Sequence, residues 1–101
     1  MTNISIRHAT PGDAELAAAM IRAAFVEQAT MQPPSGALRE TGASIAGRMA
    51  LGGLLIAELA GQPVGCVCYE LHEHHAHFSR LAVLPTQRGR GIARALVEAV
   101  E

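Results

Sequence analysis

The densest concentration of chemically useful residues lies near the end of the chain, in Leu81-Ala-Val-Leu-Pro-Thr-Gln-Arg-Gly-Arg-Gly-Ile-Ala93. An apolar, strand-like run stops at Pro85, and a glycine-rich turn then opens directly into a helical stretch. Such a junction points several backbone N–H groups outward at a helix N-terminus, a ready site for phosphate or diphosphate. Gly89 and Gly91 carry no Cβ, so the backbone can approach an anion closely and take up positive φ. Arg88 and Arg90, with Arg94 one turn on, add permanent positive charge in a fork that suits phosphate oxygens. The eight basic residues are all arginine. With no lysine, both a lysine nucleophile and a Walker-type phosphate loop are excluded. A dinucleotide fingerprint is excluded too, because its third glycine position holds Arg94 and the turn comes late in the chain.

Two other groups invite chemistry. His72-Glu-His-His-Ala-His77 places four imidazoles within six residues, and imidazole suits zinc, nickel or copper. The cluster falls on an expected hairpin turn, where side chains diverge and nothing fixes a tetrahedral cage, so it reads as a solvated turn or as a wall of an acceptor site, and no metal is expected. Cys66 and Cys68 are spaced to share one face of a strand, where reduced thiols act as small apolar filler. Two cysteines two apart make no disulfide framework.

These residues have to be positioned by a single small domain, since 101 residues leave no room for a second core. Half the residues are hydrophobic and 17% are charged, which excludes disorder. A formal charge of −1 gives no global field toward nucleic acid or anionic lipid, and Arg88-Gly-Arg-Gly91 stands alone rather than in an RNA-binding repeat. Met1-Thr-Asn-Ile-Ser-Ile-Arg7 has neither the basic start nor the apolar block expected of a signal peptide, and the longest apolar run, Met49 to Ala57, is far short of a membrane span. A reducing, cytoplasmic compartment is expected, with no membrane and no nucleic acid as partner.

Alternation at Ile4, Ile6 and His8 predicts a first strand. Thr10-Pro-Gly-Asp13 carries the signals of a capped helix start. The helix that follows is expected to run to about Gln28, with Leu16, Met20, Ala23 and Ala24 inward. Gln32-Pro-Pro-Ser-Gly36 marks a loop from Ala29 to Gly36. A second helix is expected from Leu38 to Ala50, with Ile45 and Met49 inward and Gly52-Gly53 ending it by positive φ. Leu54 to Ala60, a tight turn at Gly61-Gln-Pro63, and Val64 to Leu71 predict a hairpin buried on both faces. A turn at His72 to His75, a fourth strand from Ala76 to Leu84 and a last helix from Ile92 complete the order β-α-α-β-β-β-α. The predicted class is mixed α/β with a mostly antiparallel sheet. Glu98, Glu101 and the terminal carboxylate sit where the helix dipole is already negative, each misplaced charge costing about 0.3–1 kcal/mol. The expectation is therefore an N-terminal portion of a longer domain, with residues 1–101 forming one partial domain.

Arg88-Gly89-Arg90-Gly91-Ile92-Ala93 resembles the R/Q-x-x-G-x-G/A signature of the GCN5-related N-acetyltransferases (GNAT), and Leu81-Ala82-Val83-Leu84-Pro85 resembles the strand that leads into it. Ile6-Arg-His-Ala-Thr10 with Asp13, and Ala57-Glu-Leu-Ala-Gly-Gln-Pro-Val-Gly65, resemble that family's opening strand and second hairpin. The resemblance implies acetyl-CoA as co-substrate. Its diphosphate would be held by Arg88, Gly89, Arg90, Gly91, Ile92 and Ala93. Its pantetheine arm would pair with Leu81, Ala82 and Val83, and the Val83 N–H would face the thioester oxygen. It also implies acetyl transfer to a primary amine on a small-molecule or peptide acceptor. The positions that often carry an acid before the Leu-x-Val segment read Phe78-Ser-Arg80 here, and the later strands and helix of the family, with their tyrosine acid, are not in the sequence. The catalytic base stays unassigned, with Glu70 and His77 the available side chains. The alternative is a non-catalytic module that keeps the CoA or anion site. An unpaired edge on the fourth strand would further predict aggregation or pairing of two copies as a homodimer.

Overall fold

The computed structural model describes residues 4–25, 40–73, 75–87, 89 and 91–100. Strand β1 (Ile4–His8) leads through a 3-10 turn (Pro11–Asp13) into helix α1 (Ala14–Phe25). Helix α2 (Gly42–Ala50), strands β2 (Gly52–Leu59), β3 (Gln62–His72) and β4 (His75–Val83), a 3-10 turn (Pro85–Gln87) and helix α3 (Ile92–Val100) come next. The four strands form one antiparallel sheet in the order β1-β2-β3-β4. The element order and the mixed α/β class agree with the expectation. The loop expected from Ala29 to Gly36 lies outside the described residues.

The sheet is covered on both faces. Leu54 and Ile56 of β2, with Cys66 and Cys68 of β3, pack under α1 and α2 against Ile21 and Ile45. Leu55 and Ala57, with Val64 and Val67, pack against Ile92 and Leu96 of α3. This explains the four consecutive buried residues in β2, because a strand sandwiched between helices has no solvent side. Both cysteines are free and buried. Burial, then the neighbouring thiol, pushes Cys66 up to about 12, and burial raises Cys68 to about 11, so both act as protonated filler.

Local chemistry explains several boundaries. Asp13 reaches back to the Thr10 N–H at 2.8 Å and takes a two-pronged bond from Arg7 at 2.9 and 3.1 Å, while Arg7 Nε also reaches Glu58 at 3.1 Å. The start of α1 is thereby tied to β1 and β2. Thr41 caps α2 by accepting from the Ser44 N–H at 3.1 Å.

Four expectations need correction. The inward stripe of α1 is Ala14, Ala17, Ala18, Met20, Ile21 and Ala24, whereas Leu16 and Ala23 are exposed. Alanine gives a periodicity count little to work with, yet it is the side chain that lets a helix lie close on a sheet. Gly52 and Gly53 do not end α2 by positive φ. Leu51 ends it at φ −91°, and the two glycines open β2, where added Cβ atoms would run into the Tyr69 carbonyl and the Tyr69 hydroxyl. The first hairpin reverses at Ala60 and Gly61, both at positive φ (52° and 80°), which places Gln62 and Pro63 in β3. That pair is the two-residue turn whose twist matches the flanking strands. The second hairpin is tighter than expected, since β3 extends to His72 and β4 starts at His75.

Candidate functional site

The described part of the glycine-rich turn opens on a concave space. A cavity of about 480 Å³ is lined by Val83 at the end of β4, by Gln87, Gly89 and Gly91 of the connection, and by Ile92, Ala93 and Arg94 of α3. Gly89 and Gly91 are at φ +83° and +78°, a region closed to most side chains, and a Cβ at either would meet nothing within 4 Å. The first intrahelical bond of α3 runs from Ala95 N to Gly91 O at 3.0 Å. Helix geometry gives the N–H groups of Ile92, Ala93 and Arg94 no acceptor within α3 itself. The dipole adds partial positive charge at the same end. Such an array can bind an anion.

Of the nine residues expected at a cofactor site, the structure brings Val83, Gly89, Gly91, Ile92 and Ala93 to one cavity. Leu81 and Ala82 precede Val83 on β4, whose outer edge pairs with no strand among the described residues. Arg88 and Arg90 lie outside the described residues. Arg94 lines the cavity but is exposed and bonded to Glu98 at 3.0 Å, so part of its charge is spent along its own helix.

Glu70 and His77 face each other across the β3–β4 ladder, Glu70 half-buried and His77 exposed. The register thus joins them. His77 nevertheless stands four residues before Leu81, about 13 Å along an extended strand, so the pair belongs to the far end of the sheet from the cavity. Of the histidine run, His74 lies outside the described residues, and no group of three metal-ligating side chains stands together among the described ones. A further cavity of about 400 Å³ at that far end is lined by His8, Pro11, Met49, Gly53 and Tyr69, among others, and touches neither the glycine turn nor Val83.

Two features escaped sequence reasoning. Gln87 lines the first cavity, and its Oε1 is buried with no hydrogen-bond partner. Nothing in its type or spacing signals this. Glu40, 4% exposed, accepts from Ser44 Oγ at 2.6 Å, from Arg48 Nε at 3.0 Å and from Arg80 Nε, while its backbone carbonyl accepts from Arg22. Burial alone would raise this carboxyl. The bonds from Ser44, Arg80 and Arg48 outweigh it and hold Glu40 below the usual carboxylate range.

Comparison with known proteins now decides the family. The model of the acetyltransferase (GNAT) family matches residues 18–101. The chain belongs to the GNAT acetyltransferases. It is similar to a GCN5-related N-acetyltransferase of Rhodopseudomonas palustris, at 27% identity and a TM-score of 0.76, covering 94% of this chain and 61% of that one. A GNAT family acetyltransferase of Brucella melitensis, solved in complex with acetyl-CoA, gives 24% identity, a TM-score of 0.75 and coverage of 96% and 65%. The PaiA N-acetyltransferase of Thermoplasma acidophilum, solved with coenzyme A, gives 14% identity, a TM-score of 0.77 and coverage of 96% and 69%. The last two likenesses establish the fold. The chain spans less than two thirds of the Rhodopseudomonas and Brucella proteins. No curated protein matches it in sequence. No helix among the described residues is long and apolar enough to cross a membrane.

Proposed function

We propose that this GNAT chain is a single, partial N-acetyltransferase domain that binds acetyl-CoA and passes its acetyl group to a primary amine of a small-molecule or peptide acceptor. The observation that carries the reading is the start of α3, where Ile92, Ala93 and Arg94 line a cavity beside two positive-φ glycines. A diphosphate is the ligand such an array suits, and Arg88 and Arg90 would add charge to it. An extended arm leaving the diphosphate would run along the open edge of β4, where the backbone of Leu81, Ala82 and Val83 can pair with amide groups as another strand would.

The acetyl donor supplies an activated thioester. The acceptor nitrogen attacks its carbonyl carbon, the C–N bond forms, the C–S bond breaks, and the thiolate departs with the electron pair. The Val83 N–H would stabilise the oxygen as it gains charge. The attacking amine must shed a proton to a carboxylate or to water. The amine that attacks beside Val83 is the one that must lose the proton, so Glu70 and His77, about 20 Å away along β4, would act only through a chain of waters. A relay through cysteine is disfavoured, since thiols raised to about 12 and 11 are not nucleophiles at neutral pH.

Calorimetric titration with CoA, followed by an acetyl-transfer assay over a panel of amines, tests the proposal. Saturable binding with turnover of at least one amine is expected. Binding without turnover would leave a CoA-binding module, and no binding would refute the site.

A further inference from the structure

The acyl-CoA reading gives no part to the most buried ionic group in the described structure. A carboxylate as deep as that of Glu40 persists as an ion only when its lone pairs are filled. Three arginines from three elements converge on this residue: Arg22 of α1 on its carbonyl, Arg48 of α2 and Arg80 of β4 on its carboxylate. Arg80 is also a backbone exception. It sits at φ +50°, a conformation a non-glycine residue seldom holds without support from its surroundings. At the same place the ladder slips by one residue, Cys66 facing Ala82 while Cys68 faces Ser79. The slip is a bulge, which bends its strand and re-aims the residues beyond it. Here those residues are Leu81, Ala82 and Val83.

The geometry points to the Glu40–Arg80 ion pair as a positioning device: it fixes the β4 bulge from the α2 side and so sets the Leu81–Val83 edge at the place an acyl arm leaving the α3 N-terminus must meet. This inference rests on the acyl-CoA reading. The planar guanidinium suits the task, because an Nε–H bond to a fixed carboxylate constrains direction as well as distance. Arg48 and Ser44 hold the carboxylate in turn, so the anchor is itself immobile.

The test splits the ligand. ADP carries adenosine and the diphosphate without the arm, whereas acetyl-CoA adds the arm that would lie along β4. Calorimetry on the full chain is run with both. Arg80→Gly leaves the bulge's φ accessible but removes the ion pair. Acetyl-CoA should weaken about tenfold, the worth of one or two backbone hydrogen bonds, and ADP should stay within about twofold. Arg80→Lys, which keeps a cation for Glu40 but loses the directional Nε–H bond, should recover only part of the acetyl-CoA affinity, leaving it about threefold to fivefold weakened. Should Arg80→Gly fail to fold by circular dichroism, Ser44→Ala strips one bond from Glu40 and keeps both arginines. It should show a smaller loss, confined to acetyl-CoA. Equal weakening of both ligands, or unchanged acetyl-CoA affinity, overturns the inference. If the unsubstituted chain binds neither ligand, the acyl-CoA reading itself is refuted and this inference falls with it.

Discussion

Gly65→Ala is the substitution on which the packing account is most exposed. Gly65 lies on β3 opposite Val83, beneath α3. A Cβ built there stands 2.8 Å from the Ala82 carbonyl oxygen, 3.2 Å from Ile92 Cγ2 and 3.4 Å from Leu96 Cδ1. The first contact is to backbone, which cannot rotate away, and carbon–oxygen contacts in sheets settle near about 3.3–3.6 Å. The β3–β4 ladder must therefore open by roughly half an ångström, or α3 must lift. Overpacking of this kind costs about 1–3 kcal/mol. In a domain of this size each kcal/mol moves the melting temperature by about 4–8 °C, so a cost of about 2 kcal/mol lowers it by about 8–16 °C. Gly47→Ala is the matched control, since Gly47 is exposed within α2 and a Cβ there meets nothing within 4 Å. The same added methyl should raise stability there by about 0.5–1 kcal/mol through helix propensity. Differential scanning calorimetry of both variants reads the two signs. A Gly65→Ala protein that melts with or above the parent would refute the packing of α3 on β3.

Three further outcomes are expected. Gly91→Ala places a side chain at φ +78° with no protein neighbour, so folding should lose only about 1 kcal/mol. CoA titration should nevertheless weaken at least about tenfold, since Gly91 lines the cavity at the start of α3 and the strained turn would be displaced from an anion bound there, and unchanged affinity would remove the turn from the site. In the folded protein Cys66 and Cys68 should resist a thiol-specific disulfide reagent at pH 8 and react only after denaturant is added, because both thiols are buried and raised to about 12 and 11. The Arg7 guanidinium and the Thr10 N–H hold the Asp13 carboxyl well below its unfolded value. Its contribution is thus complete above the ordinary carboxylate pKa of about 4 and is lost as pH falls through and below that value. Asp13→Asn should lower the melting temperature at neutral pH by a few degrees, about 1 kcal/mol as for other helix-start acids. It should also flatten the acid limb of the stability profile, and parallel acid limbs for the two proteins would contradict the sign.

How far residue patterns reached into this structure depended on the range of the forces involved. The capped start at Thr10 to Asp13, the strands and the glycine turn before Ile92 are short-range features, and each was legible. The contacts that cross the chain were not. Glu40 falls inside the second helix expected from Leu38, whereas α2 opens at Gly42 behind the Thr41 cap and leaves Glu40 before it, where Arg48 and Arg80 reach it from eight and forty positions away. Arg80 gave no hint of a left-handed backbone, because arginine has no preference for one and the bulge is imposed by the neighbouring strand. Gly52 and Gly53 were recognised as special for the wrong reason. Their small size clears space for Tyr69, a cross-strand matter that helix-ending rules cannot see.

The alanine face of α1 has a consequence for how this lineage can drift. Ala14, Ala17, Ala18 and Ala24 line the side of the helix that meets α2, β3 and β4, and none is more than 5% exposed. A methyl is already the smallest side chain that fills such a seam, so random change at these positions can only add bulk or leave bare backbone. Either error would travel outward as a shift of the whole rod rather than being absorbed by a neighbouring rotamer. Diversification should accordingly run along the outward residues, Glu15, Leu16, Ala19 and Ala23, while the buried seam stays frozen in size.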